Sequence, residues 1–155
     1  MDQFVSNYTN RIDAKGRVSV PAGFRAILAA QGFDGVYCYP SLDTDAIEAG
    51  GRPLIEAIQG LIDALVPYSD ERNQLATVLL GDGMTLSIDQ DGRVTLPEAL
   101  RAHAGLEGEV TFVGVGDKFF MWSPERYAAY RAEARSRARD LKALLGRRQS
   151  GEAAE

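Results

Sequence analysis

An aspartate and an arginine four residues apart occur twice in the chain, each pair enclosing a glycine, as Asp13 to Arg17 and Asp89 to Arg93. Aspartate at the first position and glycine at the fourth are typical of a type I turn whose glycine takes a positive φ and returns the chain into a β-hairpin. The arginine follows the hairpin tip, and its planar guanidinium can bond both acceptors on a guanine edge. Because a two-stranded ribbon fits the DNA major groove, this pattern indicates a nucleic-acid contact.

A structural interpretation of the same residues stays open, because aspartate and glycine are common in turns. In that interpretation Asp13 and Arg17 hold the turn, and Gly16 is present only for its backbone geometry. The candidate DNA-contacting residues are therefore hypotheses, and they are Arg11, Asp13, Lys15, Gly16, Arg17, Asp89, Gly92 and Arg93.

The two motifs belong to an internal repeat. Residues 12–25 and 88–101 are identical at seven of fourteen positions without a gap, where about one identity is expected from background frequencies. In each copy β-branched and aromatic residues flank the turn at strand-like spacing. Pro21 and Pro97 then stand where proline opens a helix. The sequence therefore predicts a hairpin, a short strand and a short helix, twice.

The remaining elements follow from hydrophobic spacing and from capping residues. They are a strand at 35–40, an amphipathic helix at 54–66 that Pro67 ends, a helix capped by Ser69 or Asp70 that reaches Leu80, strands within 109–122 around a turn at Gly116-Asp117, a last helix after Ser123, and a frayed tail at 146–155.

Charge is segregated along the chain, although its total is −5. Residues 33–82 carry nine acids against two bases, whereas residues 11–25 carry four bases against one acid. Residues 124–148 carry eight bases against three acids. This distribution favours a localised anion-binding face on an acidic protein. A merely solvated basic helix is the alternative for the last segment.

Several classes of function are not indicated. The start of the chain has no apolar signal region and no run of about 18 apolar residues occurs, so we expect a cytoplasmic protein without a membrane partner. A single cysteine, Cys38, and a single histidine, His103, argue against a metal site or thiol chemistry. We expect Cys38 to be a buried thiol and His103 a helix-surface residue. No catalytic constellation is evident, so we expect no enzyme, cofactor or small-molecule substrate.

The segments DAKGRVSVPAGFR, DQDGRVTLPEALRAHAGL and VGVGDKFFMWSPERY resemble the MraZ family of bacterial transcriptional regulators, over about residues 4–145. The family signature is a doubled Asp-x-x-x-Arg within two AbrB-like (SpoVT-AbrB) domains. The resemblance implies an α+β fold with a swapped-hairpin β-barrel in each half, packed as an intrachain pseudo-dimer with connecting helices and a C-terminal helix. The implied parts are 4–52 and 81–124 for the two domains, 53–80 for the helical connection and 125–148 for the last helix.

The resemblance also implies a function. Members of the family bind short G-rich direct repeats in double-stranded promoter DNA of the cell-division and cell-wall gene cluster, and they do so as ring-like homo-oligomers. The resemblance therefore predicts that this protein is associated with the nucleoid. Carried over by position, the first motif supplies Asp13, Lys15 and Arg17, and the second supplies Asp89 and Arg93. Asp91 departs from the first copy by placing an acid near the position of Lys15. Since an acidic tip repels phosphates, we expect the second motif to contact DNA less strongly.

A second class of function remains open. The chain would then be an oligomeric protein-interaction scaffold without a nucleic-acid role, in which the motifs are turn chemistry. The basic last helix would bind an acidic partner.

Overall fold

Both copies of the repeat fold into a tight turn, a short strand and a short helix in the predicted order. The predicted hairpins do not form as paired strands, because the strands that flank each turn pair with strands of the other copy, apart from an isolated bridge between Ile12 and Val18. The structure is a computed structural model that describes residues 3–149. Its strands in that range are β1 (Asn7–Arg11), β2 (Arg17–Ser19), β3 (Val36–Pro40), β4 (Ile47–Gly50), β5 (Met84–Leu86), β6 (Arg93–Thr95), β7 (Glu109–Gly114) and β8 (Phe119–Trp122). Its helices are α1 (Ala22–Ala30), α2 (Arg52–Asp63), α3 (Asp70–Ala76), a π-helical turn (Thr77–Gly81), α4 (Glu98–Ala104) and α5 (Pro124–Gln149).

The predicted helices are present, with shifted ends. The helix expected at 54–66 is α2, which buries Leu54, Ile58 and Ile62 at the predicted spacing but ends at Asp63. Ser69 caps α3, as one of the two predicted caps, by accepting a hydrogen bond from the Arg72 backbone amide. Beyond α3 the chain reaches Gly81 as a π-helical turn.

The fold is α+β, and its main sheet is antiparallel in every pairing that the strands make. Six strands lie in the order β1-β7-β8-β4-β3-β5, and β2 pairs with β6 as a separate two-stranded ribbon. The first strand of each copy therefore pairs with the third strand of the other copy, as β1 with β7 and β5 with β3. When every strand is replaced by its counterpart in the other copy, the sheet has the same order read from its opposite edge. The halves are thus related by a pseudo-twofold axis and share their strands.

The axis passes through the centres of two ladders. Val18 faces Val94 in the middle of the β2–β6 ribbon, and these are equivalent positions of the repeat. Glu48 faces Phe120 in the middle of the β4–β8 ladder. The main core contains residues of both copies, including the mutually contacting rings of Phe4, Phe24 and Phe119. Because burial is shared, neither copy encloses its apolar face alone.

Strand β4 is the element that the sequence analysis did not predict. Three of its four residues, Glu48, Ala49 and Gly50, have little strand propensity, yet all four are buried. Glu48 is 5% exposed and is fully partnered. Its carboxylate accepts hydrogen bonds from the Tyr39 hydroxyl (2.8 Å), the Ser41 hydroxyl (2.8 Å) and the Lys118 ammonium (2.6 Å). Burial tends to raise the Glu48 pKa, but the Lys118, Ser41 and Tyr39 hydrogen bonds outweigh it and lower that pKa.

The single cysteine lies in β3 and the single histidine in α4. Cys38 is completely buried in β3, as expected, and desolvation raises its pKa to about 12, so it stays a thiol. His103 lies on α4 but is half-buried, and its Nε2 is 3.1 Å from the carbonyl oxygen of Ala46. The expectation of a simple helix-surface histidine was therefore incomplete.

The chain divides into two units after Pro124. The second unit consists, in its described part, of helix α5, which begins after Ser123 as predicted and continues to Gln149. The predicted frayed tail at 146–155 is helical at 146–149, and its part from 150 onward lies outside the described residues.

Candidate nucleic-acid interface

Two hairpin tips, defined here as tip 1 (Asp13–Arg17) and tip 2 (Asp89–Arg93), have the same backbone. In tip 1 the Asp13 amide donates to the Arg17 carbonyl and the Gly16 amide donates to the Asp13 carbonyl, both at 3.0 Å. Tip 2 repeats these bonds at 2.9 and 3.0 Å. The glycines have φ values of +85° and +79°, which side chains disfavour. The turn geometry predicted from the Asp-x-x-Gly-Arg pattern is confirmed.

Each aspartate carboxylate organises its own tip. In tip 1 Asp13 Oδ1 accepts from the backbone amides of Lys15 (3.0 Å) and Arg17 (2.8 Å), and Oδ2 accepts from Arg17 Nε (2.7 Å). Asp89 makes the equivalent bonds with Asp91 and Arg93. Hydrogen bonds from the arginine backbone amides are the main reason that the pKa of both carboxyls lies below its usual range. Both aspartates are therefore ionised at neutral pH and hold the arginine side chains in place.

The ribbon brings the two tips onto one surface. Strands β2 and β6 pair so that Arg17 faces Thr95 and Ser19 faces Arg93. Alternate residues of a strand share a face, so these four side chains lie on one side and the buried Val18 and Val94 on the other. In this register Arg17 and Arg93 are diagonal neighbours, with Cα atoms about 7–8 Å apart. Two motifs separated by 76 positions thus form a single arginine-bearing face.

The tips also interlock across the pseudo-twofold axis. The Val20 amide donates to the Gly92 carbonyl (2.9 Å), and the Leu96 amide donates to the Gly16 carbonyl (2.8 Å). A Cβ added to Gly16 would lie 2.7 Å from the Leu96 carbonyl oxygen. Gly16 is therefore required by the strand of the opposite copy as well as by its own turn.

Two further arginines lie beside the tips and were not among the predicted site residues. An added Cβ at Gly92 would lie 2.7 Å from the Arg25 guanidinium, and one at Gly16 would lie 3.2 Å from Arg101 Nε. Each of these arginines donates its Nε–H to a carbonyl, that of Val20 or Leu96. The available signal was their identical position in the repeat, but contact with the opposite tip required the fold.

The predicted site residues do not all lie in the two tips. Lys15, at tip 1, is exposed. Arg11 is exposed on β1 of the six-stranded sheet, opposite Glu109, and is not a residue of the ribbon. The remaining predicted residues, Asp13, Gly16, Arg17, Asp89, Gly92 and Arg93, belong to the two tips.

The tips differ in how their arginines are paired. Within residues 3–149, Arg17 has one acidic partner, Asp13. Arg93 has two, because Asp91 Oδ2 accepts from a terminal nitrogen of Arg93 at 3.3 Å in addition to the Asp89 bond at 3.1 Å. Tip 1 therefore presents Lys15 and Arg17 around one acid, and tip 2 presents Arg93 between two acids.

Comparison of the chain with known proteins shows which class of protein carries these tips. The family described as "MraZ protein, putative antitoxin-like" matches residues 79–148. A protein of Methylocella silvestris named Transcriptional regulator MraZ is 51% identical over 148 residues, covering 96% of this chain and 90% of the relative. Proteins of the same name from Xanthobacter autotrophicus and Rickettsia bellii are 52% and 43% identical, covering 96% and 94% of this chain and 94% and 97% of the relatives.

These relatives place the chain among transcriptional regulators, which are not a class of enzymes. Within that class, the chain belongs to the MraZ family. No helix in the described part of the chain is long and apolar enough to cross a membrane.

Proposed function

We propose that this regulator binds promoter DNA sequence-specifically through the arginine-bearing face of the β2–β6 ribbon. The observation that carries the proposal is that Arg17 and Arg93 share the exposed face of a two-stranded ribbon, each oriented by an ionised aspartate. A ribbon of this kind fits the major groove. Binding to promoter DNA would make the protein nucleoid-associated.

The orientation of Arg17 favours base recognition. Its bond to Asp13 uses Nε, so that bond leaves the two terminal nitrogens for another partner. An arginine fork bonds guanine O6 and N7, which is the commonest specific contact in the major groove. Lys15 at the same tip supplies a point charge for a phosphate. Arg25 and Arg101 add positive charge beside the tips.

The fold supports a more detailed architecture. We propose that residues 4–52 and 81–124 are two AbrB-like domains that form an intrachain pseudo-dimer of swapped-hairpin type, joined by residues 53–80 and followed by the helix at 125–148. The reciprocal pairing of β1 with β7 and of β5 with β3 supports exchange of strands between the copies.

We further propose that several chains assemble into a ring and that the ring binds short G-rich direct repeats upstream of the cell-division and cell-wall gene cluster. One ribbon contacts few phosphates, so linked ribbons raise the effective concentration of the next contact. The two tips of each ribbon differ in charge, so a ribbon has a direction despite its pseudo-twofold backbone. Subunits related by rotation present these ribbons in the same orientation, which demands direct repeats, whereas a true twofold dimer demands inverted ones.

The test is a gel-shift series on the native promoter fragment and on versions in which one repeat is inverted or displaced. Inverting a repeat, or moving it by half a helical turn, should sharply reduce affinity, whereas a full-turn displacement of roughly 10 bp should be tolerated better. Equal binding to direct and inverted repeats would refute the ring arrangement. Absence of any salt-sensitive binding would refute DNA recognition and favour the protein-interaction scaffold.

A further inference from the structure

Helix α5 carries a stripe of exposed leucines in its last turns. Leu141, Leu144 and Leu145 follow the spacing i, i+3, i+4, so they lie on one face of the helix. Their side chains are between 39% and 59% exposed. A contiguous exposed apolar stripe on a helix is typical of a surface that another element covers.

The helix lacks the burial that normally stabilises helices in proteins. None of its described residues, 124–149, is buried. Packing of an apolar face, more than intrinsic propensity, supplies most helix stability in folded proteins. In the described part of α5 the one ion pair between residues four apart is that of Arg137 with Glu133, which contributes only about 0.3–0.5 kcal/mol. A partner that covers the leucine stripe would supply what the helix lacks.

A second exposed apolar surface lies where α2 turns into α3, and we name it the α2–α3 corner. It is formed by Leu61, Val66 and Tyr68, whose side chains are between 60% and 97% exposed. Tyr68 has a φ of +64°, a conformation that non-glycine residues seldom adopt. These three large exposed side chains lie within eight positions of the chain, and clustered exposed apolar side chains mark surfaces that bind another element.

The two surfaces have opposite charge. Residues 131–148, around the leucine stripe, carry seven bases and two acids. Residues 56–72, around the corner, carry four acids and one base, Arg72, which pairs with Asp63 at 3.2 Å, so the corner remains acidic. An apolar centre with a charged rim is the usual anatomy of a protein interface, and opposite rims steer association and fix its orientation.

We propose that the end of α5 in one copy of this chain packs on the α2–α3 corner of a second copy. The contact uses two different surfaces, so it is heterologous, and repetition of a heterologous contact closes into a ring when the rotation allows it. This inference rests on the oligomer of the proposed function and names the surfaces that form it.

The experiment measures mass by size exclusion with light scattering, on the full chain and without DNA. The chain mass is 16.8 kDa, and the unmodified protein should show several times that value. One double variant, Leu144→Glu/Leu145→Glu, places charge in the leucine stripe of the helix. A second, Val66→Glu/Tyr68→Glu, places charge in the α2–α3 corner. Each variant should have the mass of a single chain. Leu42→Glu is the matched control, because Leu42 is 56% exposed outside both surfaces, and it should leave the mass unchanged.

A mixture of the two glutamate double variants distinguishes the proposed contact from self-pairing of either surface. Each variant keeps one intact surface, and the two intact surfaces complement each other. An equimolar mixture should therefore form a species of two chains. Full assembly of the corner variant alone, or absence of the two-chain species from the mixture, would overturn the proposal.

Charge-reversed variants cover the case in which glutamates in the apolar surfaces disturb folding. Asp70→Lys/Glu71→Lys and Arg139→Glu/Lys142→Glu alter only exposed side chains, so circular dichroism should be unchanged. Each alone should lower the mass, and their mixture should restore association. Loss of association without rescue in the mixture would count against the proposal. The assay contains no DNA, so its failure would leave DNA recognition by the ribbon intact, and loss of DNA binding would leave the interface intact.

Discussion

Tip 1 and tip 2 have the same backbone hydrogen bonds, the same positive-φ glycine and the same aspartate–arginine bond, yet they present different charge. The residue directly before the glycine makes the difference, because Lys15 adds a base to tip 1 and Asp91 binds Arg93 at 3.3 Å in tip 2. Turn geometry and anion affinity are therefore set by different residues of one short motif. A repeat can keep its fold in both copies while its binding strength diverges.

The comparison predicts unequal losses of DNA binding. Arg17→Ala should cost about 1–3 kcal/mol of DNA-binding free energy per ribbon. Every ribbon of an oligomer loses this contact, so detectable binding to the promoter fragment should be abolished. Arg93→Ala should cost less, because Asp89 and Asp91 already occupy that arginine. The measurement is a fluorescence-anisotropy titration, with Arg52→Ala as a control arginine outside the ribbon. Equal losses at Arg17 and Arg93, with unchanged mass, would contradict the inequality of the tips.

The halves differ again at Glu48, which faces the apolar Phe120 across the β4–β8 ladder. Glu48→Ala removes three hydrogen bonds and leaves the Tyr39 and Ser41 hydroxyls without their acceptor, so it should lower the free energy of unfolding by about 2–3 kcal/mol. Urea denaturation at pH 7 measures this loss. An unchanged midpoint would mean that the carboxylate does not hold β4 in the sheet.

The same residue predicts a pH dependence. The folded Glu48 pKa is lowered from the ordinary value of 4.5, so its stabilising contribution is complete above that value and is lost as pH falls through the lower folded pKa. Asp13 and Asp89 have lowered pKa values as well and act in the same direction. The difference in unfolding free energy between the unmodified protein and Glu48→Ala should therefore shrink below pH 4.5. A difference that stays constant in acid would exclude the Glu48 charge as its source.

The tip glycines should respond unequally to the same substitution. Alanine at either position is placed in a left-handed conformation, at a cost of about 1–2 kcal/mol. At Gly16 the new methyl also meets the Leu96 backbone carbonyl, whereas at Gly92 it meets the Arg25 side chain, which is able to move. Gly16→Ala should therefore lower the thermal midpoint more than Gly92→Ala, as scanning calorimetry would show. The opposite order would indicate that the Arg25 position matters more than backbone contact.

The smallest expected effect is a gain in DNA-binding affinity. Asp91→Lys removes one acidic partner of Arg93 and gives tip 2 the base that tip 1 has, so DNA binding should strengthen. Each added phosphate contact should steepen the dependence of log affinity on log salt by about 0.9. Titrations at several salt concentrations measure that slope. Lys15→Asp is the reciprocal variant and should weaken binding, and a slope unchanged by both would separate tip charge from DNA affinity.

Much of this fold follows from local sequence. The Asp-x-x-Gly-Arg turns, the prolines that open α1 and α4, the Ser69 cap and the turn at Gly116 act through neighbouring residues, so they were predictable without the rest of the molecule. The repeat itself indicated two equivalent halves, and it indicated the candidate arginines. Strand β4 was not predictable, because its pairing with β8 and the Lys118 ammonium that neutralises the buried Glu48, 70 positions away, depend on the other half of the chain.

What the tertiary structure alone decided is how the two copies meet. The sequence placed Arg17 and Arg93 on separate hairpin tips, and the pairing of β2 with β6 combined them into one face. Likewise, only the fold brought Arg25 to Gly92 and Arg101 to Gly16. Such contacts arise because neither copy encloses its apolar face alone, so the strands of each half complete their hydrogen bonds and their burial in the other. That choice of partner depends on shape and burial across the whole core, which no local pattern records.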